Sequence, residues 1–105
     1  MKTIAARQLS LYLRGRPLAL LIDLRSVQAY RAGHVRGAVS IPYGELEQHR
    51  INLPKERELI FYCERGGSAM AAARRMEAAG WQTATVIGTY DDISRLTETM
   101  SGDKI

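Results

Sequence analysis

The sequence predicts a single α/β domain built on a parallel sheet with helices on both faces. Short apolar runs of strand length alternate with segments of helical spacing, which is the pattern of βαβ units. Leu18-Ala19-Leu20-Leu21-Ile22 is apolar without a break, as in a strand buried on both faces. Leu59-Ile60-Phe61-Tyr62 is a second such run, too short for a helix. It leads into the only cysteine, a glycine pair and an alanine-rich segment.

Composition sets the outer bounds. The 105 residues suit one domain with a modest core, and 46% hydrophobic with 25% charged residues is ordinary for a globular chain. The formal net charge of +4 favours anionic partners weakly. The basic residues are scattered and few aromatics interleave with them, so neither nucleic acid nor a membrane is an expected partner. A single cysteine allows no internal disulfide and suits a reducing compartment. The segment 1–7 lacks the apolar stretch of a signal peptide, and nothing approaches the ~20 apolar residues of a membrane span. A cytoplasmic location is the resulting expectation.

In chain order, Thr3-Ile4-Ala5 reads as a short edge strand. Leu9, Tyr12 and Leu13 give the segment from Ala6 to Arg14 helical spacing, stopped by Gly15 and Pro17. After the strand Leu18–Ile22, Asp23-Leu24-Arg25 ends it, and Ser26 caps a short helix that Gly33 closes. His34-Val35-Arg36-Gly37 is expected as a connection, Ala38–Ile41 as a strand stopped by Pro42, and Glu45–Arg50 as one or two helical turns. A polar loop, Leu53–Glu58, precedes the strand Leu59–Tyr62. Ser68 is expected to cap the following helix and Gly80 to close it. The alanines at 69, 71, 72 and 73 allow that helix close to the sheet, with Arg74, Arg75 and Glu77 in water. Gln82–Ile87 is a further strand, and Asp91 or Asp92 is expected to cap a last helix running through Glu98. The core then spans about residues 4–96, with residues 100–105 as a frayed tail.

The chemistry points to Cys63. A free cysteine is commonly a small buried core residue. Here the thiol instead follows its strand, glycines surround it and a helix begins just downstream. Ligands bind at the carboxyl edge of such sheets, and a helix start offers unpaired N–H groups and the positive end of the dipole. These features favour an accessible, reactive thiolate. Arg65 adds positive charge, and Glu64 is expected to be solvated. Gly66 and Gly67 let the chain curl so that its N–H groups converge.

Other motifs are excluded. Position 66 is glycine, so there is no C-x-x-C pair, and no G-x-x-x-x-G-K-[ST] loop occurs. His34, His49 and Cys63 lack zinc-ligand spacing, so no metal is expected. A phosphate-ester loop of the C-x5-R type needs arginine where this chain has Ala69. His34 reads as a histidine hydrogen-bonded in a turn, with a general base for Cys63 as the other reading. Asp23 and Arg25 can form an ion pair at the same sheet edge. Tyr30 and Trp81 read as packing residues.

Two stretches together resemble a known family. Leu21-Ile22-Asp23-Leu24-Arg25 followed by Tyr30-Arg31-Ala32-Gly33-His34-Val35-Arg36-Gly37-Ala38-Val39-Ser40-Ile41-Pro42 resembles the D-x-R … G-H-I-x-G-A-x-x-I-P signature of rhodanese domains. Cys63-Glu64-Arg65-Gly66-Gly67-Ser68 is similar to the six-residue active-site loop of its single-domain sulfurtransferases. The resemblance runs from about Ile4 to Leu96 and includes the helix ending in Gly80-Trp81. It implies a five-stranded parallel sheet with helices on both sides. It also implies an enzyme that moves sulfane sulfur, without a cofactor, through a persulfide on Cys63.

Thiosulfate or a persulfide or polysulfide would donate, and cyanide, a thiol or a protein would accept. The N–H groups from Glu64 to Ser68 would stabilise the sulfur anion, Arg65 would orient the donor, and Asp23 and His34 would brace the fold. A relay or regulatory module acting with a protein partner is the alternative. Arsenate reductases and phosphatases of this fold carry one more loop residue, so a six-residue loop capped by Ser68 favours sulfur. Where many members show Gly-Gly and then a tryptophan, this chain reads Gly88-Thr89-Tyr90-Asp91-Asp92-Ile93. That difference bears on the pocket wall and donor preference.

Overall fold

The computed structural model describes residues 1–101. Its main sheet has five strands: β1 (Lys2–Ala5), β2 (Leu20–Asp23), β4 (Val39–Ser40), β5 (Leu59–Tyr62) and β6 (Thr83–Ile87). Their order is β1-β6-β5-β2-β4 and every pairing is parallel. β5 lies in the middle and all its residues are buried, as its unbroken apolar run requires. Register then sets the site, because Asp23 pairs with Tyr62 and the two strands end together.

Helices cover both faces. On one, α1 (Leu9–Arg14), α2 (Val27–Ala32) and α5 (Tyr90–Leu96) bury Leu9, Tyr30 and Ile93 against Leu21, Ile60, Tyr62 and Val86. On the other, α3 (Leu46–His49) and α4 (Gly67–Ala78) bury Leu46 and Met76 against Ile22, Leu59 and Phe61. Ala69, Ala72 and Ala73 are fully buried and bring α4 close to the sheet, while Ala71 lies on the exposed face with Arg74, Arg75 and Glu77. The helix ends as the glycine predicts. Gly80, at φ 110°, and Trp81 donate their N–H groups to the carbonyls of Glu77 and Met76, a Schellman closure.

Several expectations need correction. The strand expected from Leu18 starts at Leu20, and Leu18 is exposed; Ala19 still bonds back to Arg16 in the turn after Pro17. The connection expected at His34–Gly37 contains a strand, β3 (His34–Val35), paired antiparallel with β7 (Thr99–Met100). Met100 therefore belongs to the fold rather than to the tail, and 102–105 lie outside the described residues. The segment 6–14 begins as a 3-10 turn over Ala6–Gln8 before α1. α5 stops at Leu96, not Glu98, and its cap is Thr89, whose hydroxyl accepts the Asp92 N–H at 3.2 Å. Asp91 and Asp92 instead lie in its first turn, where they pair with Arg95.

Candidate active site

The expected cap of α4 is also displaced. Gly66, not Ser68, occupies the cap position, at φ 100°, and no side-chain oxygen caps the helix. The sulfur takes that role. Cys63 Sγ accepts the N–H of Gly66 at 3.1 Å and of Ala69 at 3.2 Å. Ala69 holds the third helical position, whose donor a capping side chain ordinarily satisfies. Both bonds aim backbone N–H donors at the sulfur, where negative charge is carried during attack. Only glycine adopts this left-handed conformation at little cost, so Gly66 sets the geometry. Gly67 and Ser68, in the first turn, have N–H groups with no intrahelical acceptor.

Cys63 is less accessible than its sequence context suggests, with 5% of its surface exposed. It lies in the wall of an open pocket of about 370 Å³. One side of that pocket is the loop, with Glu64, Arg65, Gly67 and Ser68. The other is the β2–α2 turn, with Leu24, Arg25, Ser26 and Ala29. Of the second side only Arg25 is anticipated by sequence reasoning. The signal for the rest is the Ser26 cap, whose hydroxyl accepts the Ala29 N–H at 3.1 Å, directly after a strand adjacent to β5. Glu64 and Arg65 are exposed.

A buried polar cluster pins this edge. Arg25 donates through Nε and Nη2 to the Asp23 carboxylate at 2.8–3.2 Å, and its backbone N–H reaches Asp23 Oδ1 at 2.9 Å. Burial works against the guanidinium charge, but the Asp23 hydrogen bonds and charge hold its pKa above the ordinary value. The Tyr62 hydroxyl donates to Asp23 Oδ2 at 2.6 Å and accepts the Val35 N–H at 3.0 Å. Burial, and then the Asp23 charge, push its pKa far up. Sequence reasoning misses Tyr62 in this role and also misses Tyr90. The Arg25 guanidinium lies 3.5 Å from the Tyr90 ring centre, a cation–π contact. The Tyr90 N–H donates to the Glu64 carbonyl at 2.9 Å. The unusual Gly88-Thr89-Tyr90 segment thus ties the cysteine loop to the Asp23–Arg25 pair.

His34 is fully buried. It donates from Nδ1 to the Tyr30 carbonyl at 2.7 Å and stacks on the Tyr30 ring at 3.7 Å. It does not line the cysteine pocket, so the structure does not bring it to Cys63. Among the described residues no three of His, Cys, Asp or Glu cluster as metal ligands.

An α/β domain holding a lone thiol on the N–H groups of a helix start is a frame for sulfur or oxyanion chemistry. Comparison with known proteins narrows the class. The family model of the rhodanese-like domain matches residues 6–95, and the chain belongs to that family. It is 32% identical over 62 residues to the putative sulfur carrier protein YrkF of Bacillus subtilis, covering 59% of this chain and 34% of that protein. It thus spans about a third of that relative's length. It is 29% identical over 68 residues to the putative sulfurtransferase YtwF of the same organism, covering 65% of this chain and 66% of that one. The solution structure of the rhodanese-like domain of Alr3790 from Anabaena superposes with a TM-score of 0.84 at 22% identity, covering 96% of this chain and 80% of that one. The fold is therefore rhodanese-like.

Proposed function

We propose that this domain is a sulfurtransferase that carries sulfane sulfur as a persulfide on Cys63. The observation that supports this most is the pair of N–H donors on Sγ at the wall of an open pocket. Names of relatives, a sulfur carrier and a sulfurtransferase, point the same way.

With thiosulfate as donor, the Cys63 thiolate attacks the outer sulfur. The S–S bond of thiosulfate breaks, sulfite leaves with the bonding pair, and Cys63–S–S⁻ remains. Cyanide or a thiolate then attacks the terminal sulfur, and Cys63 departs as the thiolate. Oriented N–H donors stabilise that anion before and after each transfer. Arg65 at the rim attracts the anionic donor, while Asp23 and Arg25 hold the opposing turn. His34 acts as a brace.

The choice of sulfur over phosphate or arsenate cannot rest on a loop closed by Ser68, because Ser68 is not the cap. It rests on the N–H groups of Gly66 and Ala69 being taken up by Sγ rather than left to a tetrahedral oxyanion. The test is intact mass after incubation with thiosulfate, then after cyanide, with Cys63→Ser as control. The expected result is one added sulfur on wild type only, removed by cyanide as thiocyanate. An unmodified Cys63 that still alkylates freely would sink the thiosulfate route.

A further inference from the structure

A second depression adjoins the cysteine loop on its far side. It is a groove of about 430 Å³ between α4 and β6 and shares Arg65 and Gly67 with the cysteine pocket. Its apolar walls include Met70, Ala71 and Ile87, the last 50% exposed. Its cations are Arg65 and Arg74, and no acidic residue lines it. Several arginines elsewhere are matched: Arg36 with Glu98, Arg50 with Glu47, Arg95 with Asp91 and Asp92. Arg65 and Arg74 pair with no carboxylate among the described residues. On the floor, the buried Thr85 hydroxyl also lacks a partner, whereas Thr83 donates to the Ala73 carbonyl at 2.9 Å. Buried polar groups are ordinarily satisfied. Gly67 divides groove from pocket, and a side chain there would meet nothing within 4 Å. An extended chain can therefore pass from one to the other.

We propose that this groove docks an acidic, apolar peptide segment of the protein that accepts sulfur from Cys63. The proposal rests on the Cys63 reading for the acceptor's role, but the groove's charge complementarity stands apart from it. A protein acceptor held there presents its thiol at the pocket, whereas thiosulfate and cyanide need only the pocket.

The test is fluorescence anisotropy with two labelled synthetic peptides of one apolar pattern, one carrying aspartates and the other lysines. They are titrated against wild type, Cys63→Ser, Arg74→Glu and Arg14→Glu. Arg14 is an exposed arginine outside the groove, so its reversal changes net charge equally. The acidic peptide binds wild type and Cys63→Ser alike and at least about tenfold more tightly than the basic one. Arg74→Glu weakens it by about tenfold, the scale of losing a charge-assisted bond, and Arg14→Glu leaves it within about twofold. Equal losses in the two arginine variants, or equal binding of both peptides, overturn the proposal. The thiosulfate mass experiment separates the two readings. Sulfur uptake without peptide binding overturns the docking alone. Binding without uptake from any sulfane donor overturns the acceptor assignment.

Discussion

At Gly66 the backbone carries the site. A Cβ there would lie 3.6 Å from the Gly88 carbonyl oxygen, an ordinary contact, so space does not forbid a side chain. The φ of 100° does. A left-handed conformation costs an L-residue about 1–2 kcal/mol, and relaxing it swings the Gly66 N–H away from Sγ. Gly66→Ala should therefore lower stability by about 1–2 kcal/mol and slow both alkylation and sulfur loading of Cys63. Asparagine tolerates this region better, so Gly66→Asn should fall between. Thermal melts and iodoacetamide rates check the order; an alanine variant as reactive as wild type would show that the N–H placement is unimportant. The sequence makes the residue legible, since a glycine pair after a strand signals a tight turn. It does not show that sulfur replaces the cap, because that depends on where Sγ points.

Elements were legible in proportion to how local their causes are. β5, α2 with its Ser26 cap, and the Gly80 closure of α4 follow from neighbouring residues and stand where expected. β3 and β7 owe their existence to each other across more than sixty residues of chain, and two-residue segments carry no periodicity to read. The start of α5 was displaced because Thr89, Asp91 and Asp92 are all competent caps. Its true cap matters to the site, for the Thr89 hydroxyl fixes the turn whose next residue, Tyr90, bonds Glu64. Thr89→Ala should cost about 0.5–2 kcal/mol and increase hydrogen exchange at the Tyr90 and Asp92 amides. Unchanged protection at both would show that the turn is held by packing alone.

At the scale of the whole molecule, the two halves of the site come from separate βα units, and the Asp23–Arg25–Tyr62 cluster joins them through the core. The sequence suggested the ion pair, but only strand register places Tyr62 on it. That cluster makes stability depend on alkaline pH. Tyr62 is fully buried, and burial followed by the Asp23 charge raises its pKa from the usual 10. Burial followed by a hydrogen bond to Glu58 raises Tyr12 to about 12. A folded pKa above the unfolded one means that the folded state holds the proton longer. The resulting stability is complete below pH 10 and declines above it, through about 12 for Tyr12 and further for Tyr62. Urea midpoints should therefore be level near neutrality and fall steeply above about pH 10, with Tyr62 contributing on the order of 1 kcal/mol per pH unit. Tyr62→Phe should lose about 1–3 kcal/mol at neutral pH, because Asp23 and the Val35 N–H lose a partner. Above pH 10 its curve should run flatter and converge on that of wild type. A parallel pair of curves would mean that the tyrosine escapes to solvent before it ionises, and that the cluster does not hold the two halves together.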